Sequence, residues 1–130
     1  MIMKREEEYL EAIYLIKLNK GTVRIKDLAS ALKVKPPSVT SYLMKLSNKG
    51  LVKYMKGRPI ELTSKGEKVA KEIYHRHKVI KEFLCKILGL PEDIAEEDAC
   101  YIEHGIHRET MEKMEKLVKV KAKRGISEIT

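Results

Sequence analysis

Apolar side chains return at Leu10, Ile13, Tyr14 and Leu18, the three- and four-residue steps of one helix face. A first helix is therefore predicted over about Glu6–Leu18, ended by Asn19-Lys20-Gly21. Thr22-Val23-Arg24 reads as a short extended piece, and a second helix follows over about Ile25–Leu32, with Leu28, Ala29 and Leu32 inward. Val34-Lys35-Pro36-Pro37 then breaks the chain. Proline lacks an N–H and is tolerated in a first helical turn but not in an interior. A third helix should thus begin at Pro36 or Pro37 and run to about Asn48, burying Val39, Leu43 and Leu46. The runs Leu51–Tyr54 and Ile60–Thr63 flank a glycine-containing turn and predict a hairpin.

Thr63 or Ser64 is placed to cap a long helix over about Lys65–Leu88, stopped by Gly89-Leu90-Pro91. Two more helices are predicted, from Pro91 to about His104 or Gly105 and from about Glu109 to Lys121. The fold class is mainly α with a small β-hairpin. A winged helix-turn-helix spans residues 1–70, and a helical domain follows over 71–130.

Charge sharpens this division. Residues 1–70 carry 15 Lys and Arg against 7 Asp and Glu, whereas residues 71–130 carry 12 against 12. The whole excess of +8 lies in the first part, as expected of a nucleic-acid-binding module joined to a part with another task. The competing reading is a solvated lysine-rich surface. The third helix offers Pro37, Ser38, Thr40, Ser41, Tyr42 and Lys45 outward, with Lys35 just before it, and the hairpin turn offers Lys56 and Arg58. Short hydroxyls and cations at the start of a recognition helix suit base edges and phosphates in a major groove. The free N–H groups of that helix end would add to phosphate attraction, and a basic hairpin would touch the backbone as a wing.

No apolar run is long enough to cross a bilayer, and the charged start MIMKREEEY is no signal peptide. Two cysteines make no disulfide framework, so a cytoplasmic protein with reduced thiols is expected.

The remaining chemistry lies late in the chain. Cys100, Glu103 and His104, at i, i+3 and i+4, share one helix face. His77 falls one turn from Ile73 and Ile80, beside an inner face, and His75 points elsewhere. Glu8 and Glu11 on the first helix could complete a mixed N, O and S donor set for a first-row divalent ion. Against this, acidic residues in a first turn commonly just complement the helix dipole. Cys100 could be a small buried hydrophobe, Glu103 could pair with a lysine, and His77 could be a core histidine.

Several stretches resemble the diphtheria toxin repressor and manganese transport regulator family of metal-dependent repressors. They are Glu8-Tyr9-Leu10-Glu11-Ala12-Ile13-Tyr14, Pro37-Ser38-Val39-Thr40, Leu62-Thr63-Ser64-Lys65-Gly66, Arg76-His77 and Asp98-Ala99-Cys100-Tyr101-Ile102-Glu103-His104. The resemblance implies a cytoplasmic homodimer that binds Fe(II) or Mn(II) and then operator DNA, repressing metal-homeostasis genes. Co(II), Ni(II) or Zn(II) are further candidates. It implies Glu8, Cys100, Glu103 and His104 as main ligands and Glu11 and His77 as further ones. The iron-type branch has methionine at the position of Glu8, and the manganese-type branch has a carboxylate at the position of Cys100, so the site is a hybrid. Lys81 stands where the iron-type branch has a ligating carboxylate, which favours a single metal site. The rival readings are a winged-helix regulator answering to an organic ligand or to none, and a metalloenzyme using Glu8 or Glu11 as base, for which no catalytic motif is present.

Overall fold

The computed structural model describes the backbone of residues 4–128 and the side chains of residues 4–123. Among the described residues it contains six helices and one antiparallel hairpin. These are α1 (Lys4–Lys20), α2 (Ile25–Leu32), α3 (Pro36–Asn48), β1 (Val52–Lys53), β2 (Glu61–Leu62), α4 (Ser64–Lys86), α5 (Glu92–Ile102) and α6 (Arg108–Glu128). The chain divides between Glu72 and Ile73, inside α4, into two compact units.

The first unit is a winged helix-turn-helix. Tyr9, Leu10 and Ile13 of α1, Leu28 of α2, and Val39, Leu43 and Leu46 of α3 converge on one core with Val23, Leu51, Val52 and Ile60. Leu18, predicted on the inner stripe of α1, is 62% exposed. The stripe is centred on Tyr9, Leu10, Ile13 and Ile16, so Tyr14 and Leu18 run along its edge. Tyr42, expected on the outer face of α3, instead stacks on Tyr9 with ring centroids 4.8 Å apart.

Local chemistry sets the element ends. Pro36 and Pro37 open α3. The Arg24 backbone N–H donates to the Asp27 carboxylate at 2.9 Å, closing the first turn of α2. Lys20 also bonds Asp27, and these bonds hold its carboxyl below the usual range. The hairpin pairs Val52 with Leu62 and Lys53 with Glu61. Its far strand is tied back by the Ile60 N–H donating to the Val23 carbonyl at 2.7 Å. Lys49 at the end of α3 meets the buried Glu6 carboxylate of α1 at 2.7 Å, compensating a charge that is costly to bury alone.

The second unit comprises the C-terminal part of α4 with α5 and α6. Ile80 and Leu84 pack on Ala95 and Ala99, with Phe83, Cys85, Leu90, Ile102, Ile106 and Met114 around them. Alanines let α5 approach closely. Gly89, at φ 73°, reverses the chain after α4, and the Leu90 N–H returns to the Leu84 carbonyl at 3.0 Å. Helix α5 stops at Ile102, slightly before the predicted end, while α6 continues seven residues beyond the predicted Lys121.

The joint between hairpin and α4 is tight. The Thr63 hydroxyl donates to the Gly50 carbonyl and accepts the Gly66 N–H, making Thr63 the cap. A Cβ on Gly66 would lie 1.9 Å from the Leu51 carbonyl oxygen, which already accepts the Thr63 N–H. Backbone on both sides leaves little room to relax. Gly66→Ala is expected to lower unfolding free energy by about 3 kcal/mol or more, and Thr63→Ala by about 1 kcal/mol. Urea unfolding followed by circular dichroism measures both.

Candidate metal centre and nucleic-acid face

The second unit concentrates a cluster of ionisable side chains at one place. His77 projects from α4, Cys100 from the last turn of α5, and Glu103 is the C-cap residue of α5. Glu103 keeps helical dihedrals (φ −58°, ψ −25°), so the i, i+3 step that sequence reading relied on survives beyond the end of the regular helix.

Glu103 is the centre of the cluster and is only 1% exposed. One carboxylate oxygen lies 3.2 Å from His77 Nδ1, and the other lies 3.3 Å from His104 Nε2. Two imidazoles thus lie against it. Cys100 Sγ stands 3.9 Å from His77 Nδ1. The thiol is exposed, which sets aside the reading of Cys100 as a buried hydrophobe. Cys85 does behave that way, half-buried against the core of this unit.

Donor atoms of His77, Cys100 and Glu103 all lie within 4.8 Å of one another. Ligands bound at about 2.0–2.3 Å from one ion stand roughly 3–4 Å apart, so the set matches a first-row divalent ion. His104, whose side chain is 3% exposed, stands beside the other Glu103 oxygen. A thiolate, an imidazole and a carboxylate together suit Fe(II), Co(II) or Zn(II), and the oxygen donors also admit Mn(II).

One member of the cluster was missed in the sequence. Glu96 Oε2 lies 2.5 Å from His77 Nε2 and 3.8 Å from Cys100 Sγ. The signal was present: Glu96 precedes Cys100 by four residues and so shares its face of α5. Glu96 Oε1 also accepts from Lys81 Nζ at 3.1 Å, and Lys81 reaches Glu92 at 3.3 Å. Burial pushes the Glu96 carboxyl up, but the Lys81 hydrogen bond, with the charges of His77 and Lys81, outweighs it and the net direction is down. Lys81 is correspondingly raised, first by its bond to Glu96.

His75 faces away and pairs with Glu115 of α6 at 2.9 Å. His107 is exposed ahead of α6, where its carbonyl accepts the Met111 N–H. Glu8 and Glu11 belong to α1 of the first unit, half-buried at i and i+3, with Glu8 paired to Arg5 at 2.8 Å.

On the first unit, Lys35, Pro37, Ser38, Ser41 and Lys45 are exposed along α3. Thr40 is half-buried, and its hydroxyl bonds the Pro36 carbonyl at 3.3 Å. Lys45 lies over the Tyr42 ring at 4.9 Å. Lys56 and Arg58 are exposed on the wing turn, closed by the Arg58 N–H on the Met55 carbonyl and by Gly57 at φ 82°. The expectation of free N–H groups at the start of α3 is corrected. Pro36 and Pro37 have none, and the Ser38 and Val39 amides both bond the Lys35 carbonyl. Side chains, not main-chain amides, are what this end presents.

A winged helix-turn-helix with a cationic wing, followed by a unit bearing a cluster of metal-ligating side chain types around a buried carboxylate, defines a metal-responsive DNA-binding regulator. Residues 1–60 match the iron-dependent repressor N-terminal DNA-binding domain, and residues 63–123 match the iron-dependent repressor metal-binding and dimerisation domain. The chain belongs to the iron-dependent repressor family, whose members are transcriptional repressors and not enzymes.

It is 44% identical over 109 residues to an HTH-type transcriptional regulator of Methanocaldococcus jannaschii, covering 83% of this chain and 87% of that one. It is 38% identical over 112 residues to the HTH-type transcriptional regulator MntR of Bacillus subtilis, covering 86% and 78%. Among solved structures, a manganese-dependent transcriptional repressor complexed with manganese aligns with a TM-score of 0.81 at 25% identity, over 88% of this chain. IdeR of T. acidophilum aligns at 0.75 and 27%, over 83%. The chain spans about half the length of these two solved proteins, 52% and 51%.

Cobalt reports the sulfur donor directly. Co(II) added to the protein is expected to give a thiolate-to-metal charge-transfer band in the near ultraviolet. Cys100→Ser should abolish the band while Cys85→Ser keeps it. A band that survives Cys100→Ser removes the thiol from the site.

Proposed function

We propose that the protein is a homodimeric repressor that binds operator DNA when loaded with a divalent transition metal, Fe(II) or Mn(II) foremost, and so controls metal-homeostasis genes in the cytoplasm. The observation that carries this reading is the buried Glu103 carboxylate set between His77 and His104 with Cys100 alongside. Two imidazoles and a thiol lie beside it, groups whose common property is metal ligation. By their place in the motif at the start of the chain, Glu8 and Glu11 are further candidate ligands.

His77, Cys100, Glu103 and His104 would hold the ion, which supplies positive charge and fixed geometry to a cluster otherwise rich in anions. No bond is made or broken. Metal raises DNA affinity only by as much as it prefers the DNA-competent arrangement over the other. On the DNA side, Ser38, Ser41 and Lys45 would meet base edges and backbone in the major groove, with Lys35, Pro37 and Thr40 shaping the approach. Lys56 and Arg58 would meet phosphate from the wing. A two-fold dimer would address paired half-sites. No described helix is long and apolar enough to cross a membrane.

The test is fluorescence anisotropy on a candidate promoter fragment. Saturating Mn(II) or Fe(II) is expected to raise affinity by about tenfold or more over chelator-treated protein. The Cys100→Ala, His104→Ala double variant should bind DNA equally with metal and with chelator. Metal-independent binding by the unaltered protein would leave the rival regulator that senses an organic ligand or nothing. Lys56→Ala and Arg58→Ala should each weaken binding to all sequences alike and lower the salt slope by about one.

A further inference from the structure

Helix α3 buries Val39, Leu43 and Leu46. At about 100° per residue, the line opposite that stripe runs through Pro37, Ser41, Met44 and Asn48, which fall within about 60° of one another around the axis. All four are exposed. Three of them have an ordinary place there, since proline opens the helix and serine and asparagine are polar. Met44 is different. It is 59% exposed and, among the described residues, the one large hydrophobic side chain of α3 left in water. The core of its unit is closed by other residues, with Tyr42 from the same helix at its margin. Lys45, the next residue, leans toward Tyr42, its ammonium over that ring at 4.9 Å. The middle of the outer face between Ser41 and Asn48 therefore belongs to a thioether.

Position along the axis matters as well. At about 1.5 Å per residue, Met44 stands roughly 10.5 Å beyond Pro37, and Asn48 roughly 16.5 Å. The major groove of B-form DNA is about 12 Å wide. A helical side chain also lies over the turn before its own Cα, so a methionine at 44 covers ground toward Thr40 and Ser41. Met44 thus belongs with the base-facing part of α3, and Asn48 with the groove's edge. Methionine is long and unbranched and reaches past a serine hydroxyl. Its sulfur is only a weak acceptor, so it has little to offer a polar base edge. The apolar feature that base pairs present in the major groove is the thymine C5-methyl.

We propose that Met44 is a base-reading residue that packs its thioether on the C5-methyl of one thymine in each operator half-site, so that α3 selects an A·T pair there. The inference rests on the reading that α3 lies in the major groove of operator DNA. It adds an apolar contact to the hydroxyls and cations of that helix. The contact selects sequence and contributes nothing to phosphate attraction.

Deoxyuridine pairs as thymine does and lacks only the methyl, so it isolates the contact. An operator is first selected from random-sequence duplexes by the protein loaded with Mn(II) or Fe(II). Each thymine is then replaced singly by deoxyuridine, and binding is followed by fluorescence anisotropy. At one thymine per half-site the unaltered protein is expected to lose about fourfold in affinity, the worth of one methyl-sized group no longer taken out of water. Met44→Ala should bind the thymine and deoxyuridine duplexes equally at that position and keep the unaltered protein's response at every other thymine. Met44→Leu, still apolar, should retain a preference for thymine. Because the side chain is exposed, Met44→Ala should unfold in urea at the same midpoint as the unaltered chain, which separates a lost contact from a lost fold. A deoxyuridine response identical in Met44→Ala and the unaltered protein at every thymine would overturn the proposal and leave DNA binding standing. Selection of no sequence by the metal-loaded protein would overturn the operator-binding reading and this inference together.

Discussion

A carboxylate in the interior demands compensation, and Glu103 is where that demand shapes the molecule. At 1% exposure it is almost wholly withdrawn from water. Two imidazoles lie against it, and one of them, His77, also meets Glu96, which in turn bonds Lys81. The chain of contacts runs from Lys81 on α4 to Glu96 on α5 and back to His77 on α4. Alanines at positions 95 and 99 allow it, by letting α5 lie close enough to α4 for Glu96, Cys100 and Glu103 to reach His77.

The DNA-reading unit solves a different problem. Its core is purely apolar, and its one deep charge, Glu6, is neutralised by Lys49. The surface left over is cationic at the wing and rich in hydroxyls along α3. Two prolines remove amides from the helix start and the next two bond the Lys35 carbonyl, so this end presents side chains. Thr63 and Gly66 then join this unit to the long helix through backbone contacts too close for a methyl group. Helix α4 thus carries the DNA module at its beginning and His77 at its middle.

Much of this was legible in the sequence. Helix periodicity and proline placement gave α2 and α3 their limits, and glycine and proline closed α4. Cys100 and Glu103 could be paired from spacing because the helical dihedrals persist to position 103. The errors share one cause: periodicity shows a face but not what covers it. Leu18 and Tyr42 were misplaced by small rotations around their helices, and the bonds of the Ser38 and Val39 amides depend on a turn geometry that composition does not encode. Glu96 shares a helix face with Cys100, yet spacing alone did not single it out. An acidic residue among Glu92, Asp93 and Glu97 reads as solvated surface until a histidine from another helix is placed against it.

The account's central claim is that one ion and one DNA site share a free energy. Such coupling is reciprocal: whatever factor metal contributes to DNA affinity, DNA must contribute to metal affinity. The direct measurement is a competition titration of Mn(II) binding against a calibrated chelator, with and without saturating operator DNA. The account predicts that DNA tightens metal binding by the same factor by which metal tightens DNA binding. Metal affinity that is unchanged by operator DNA would contradict it.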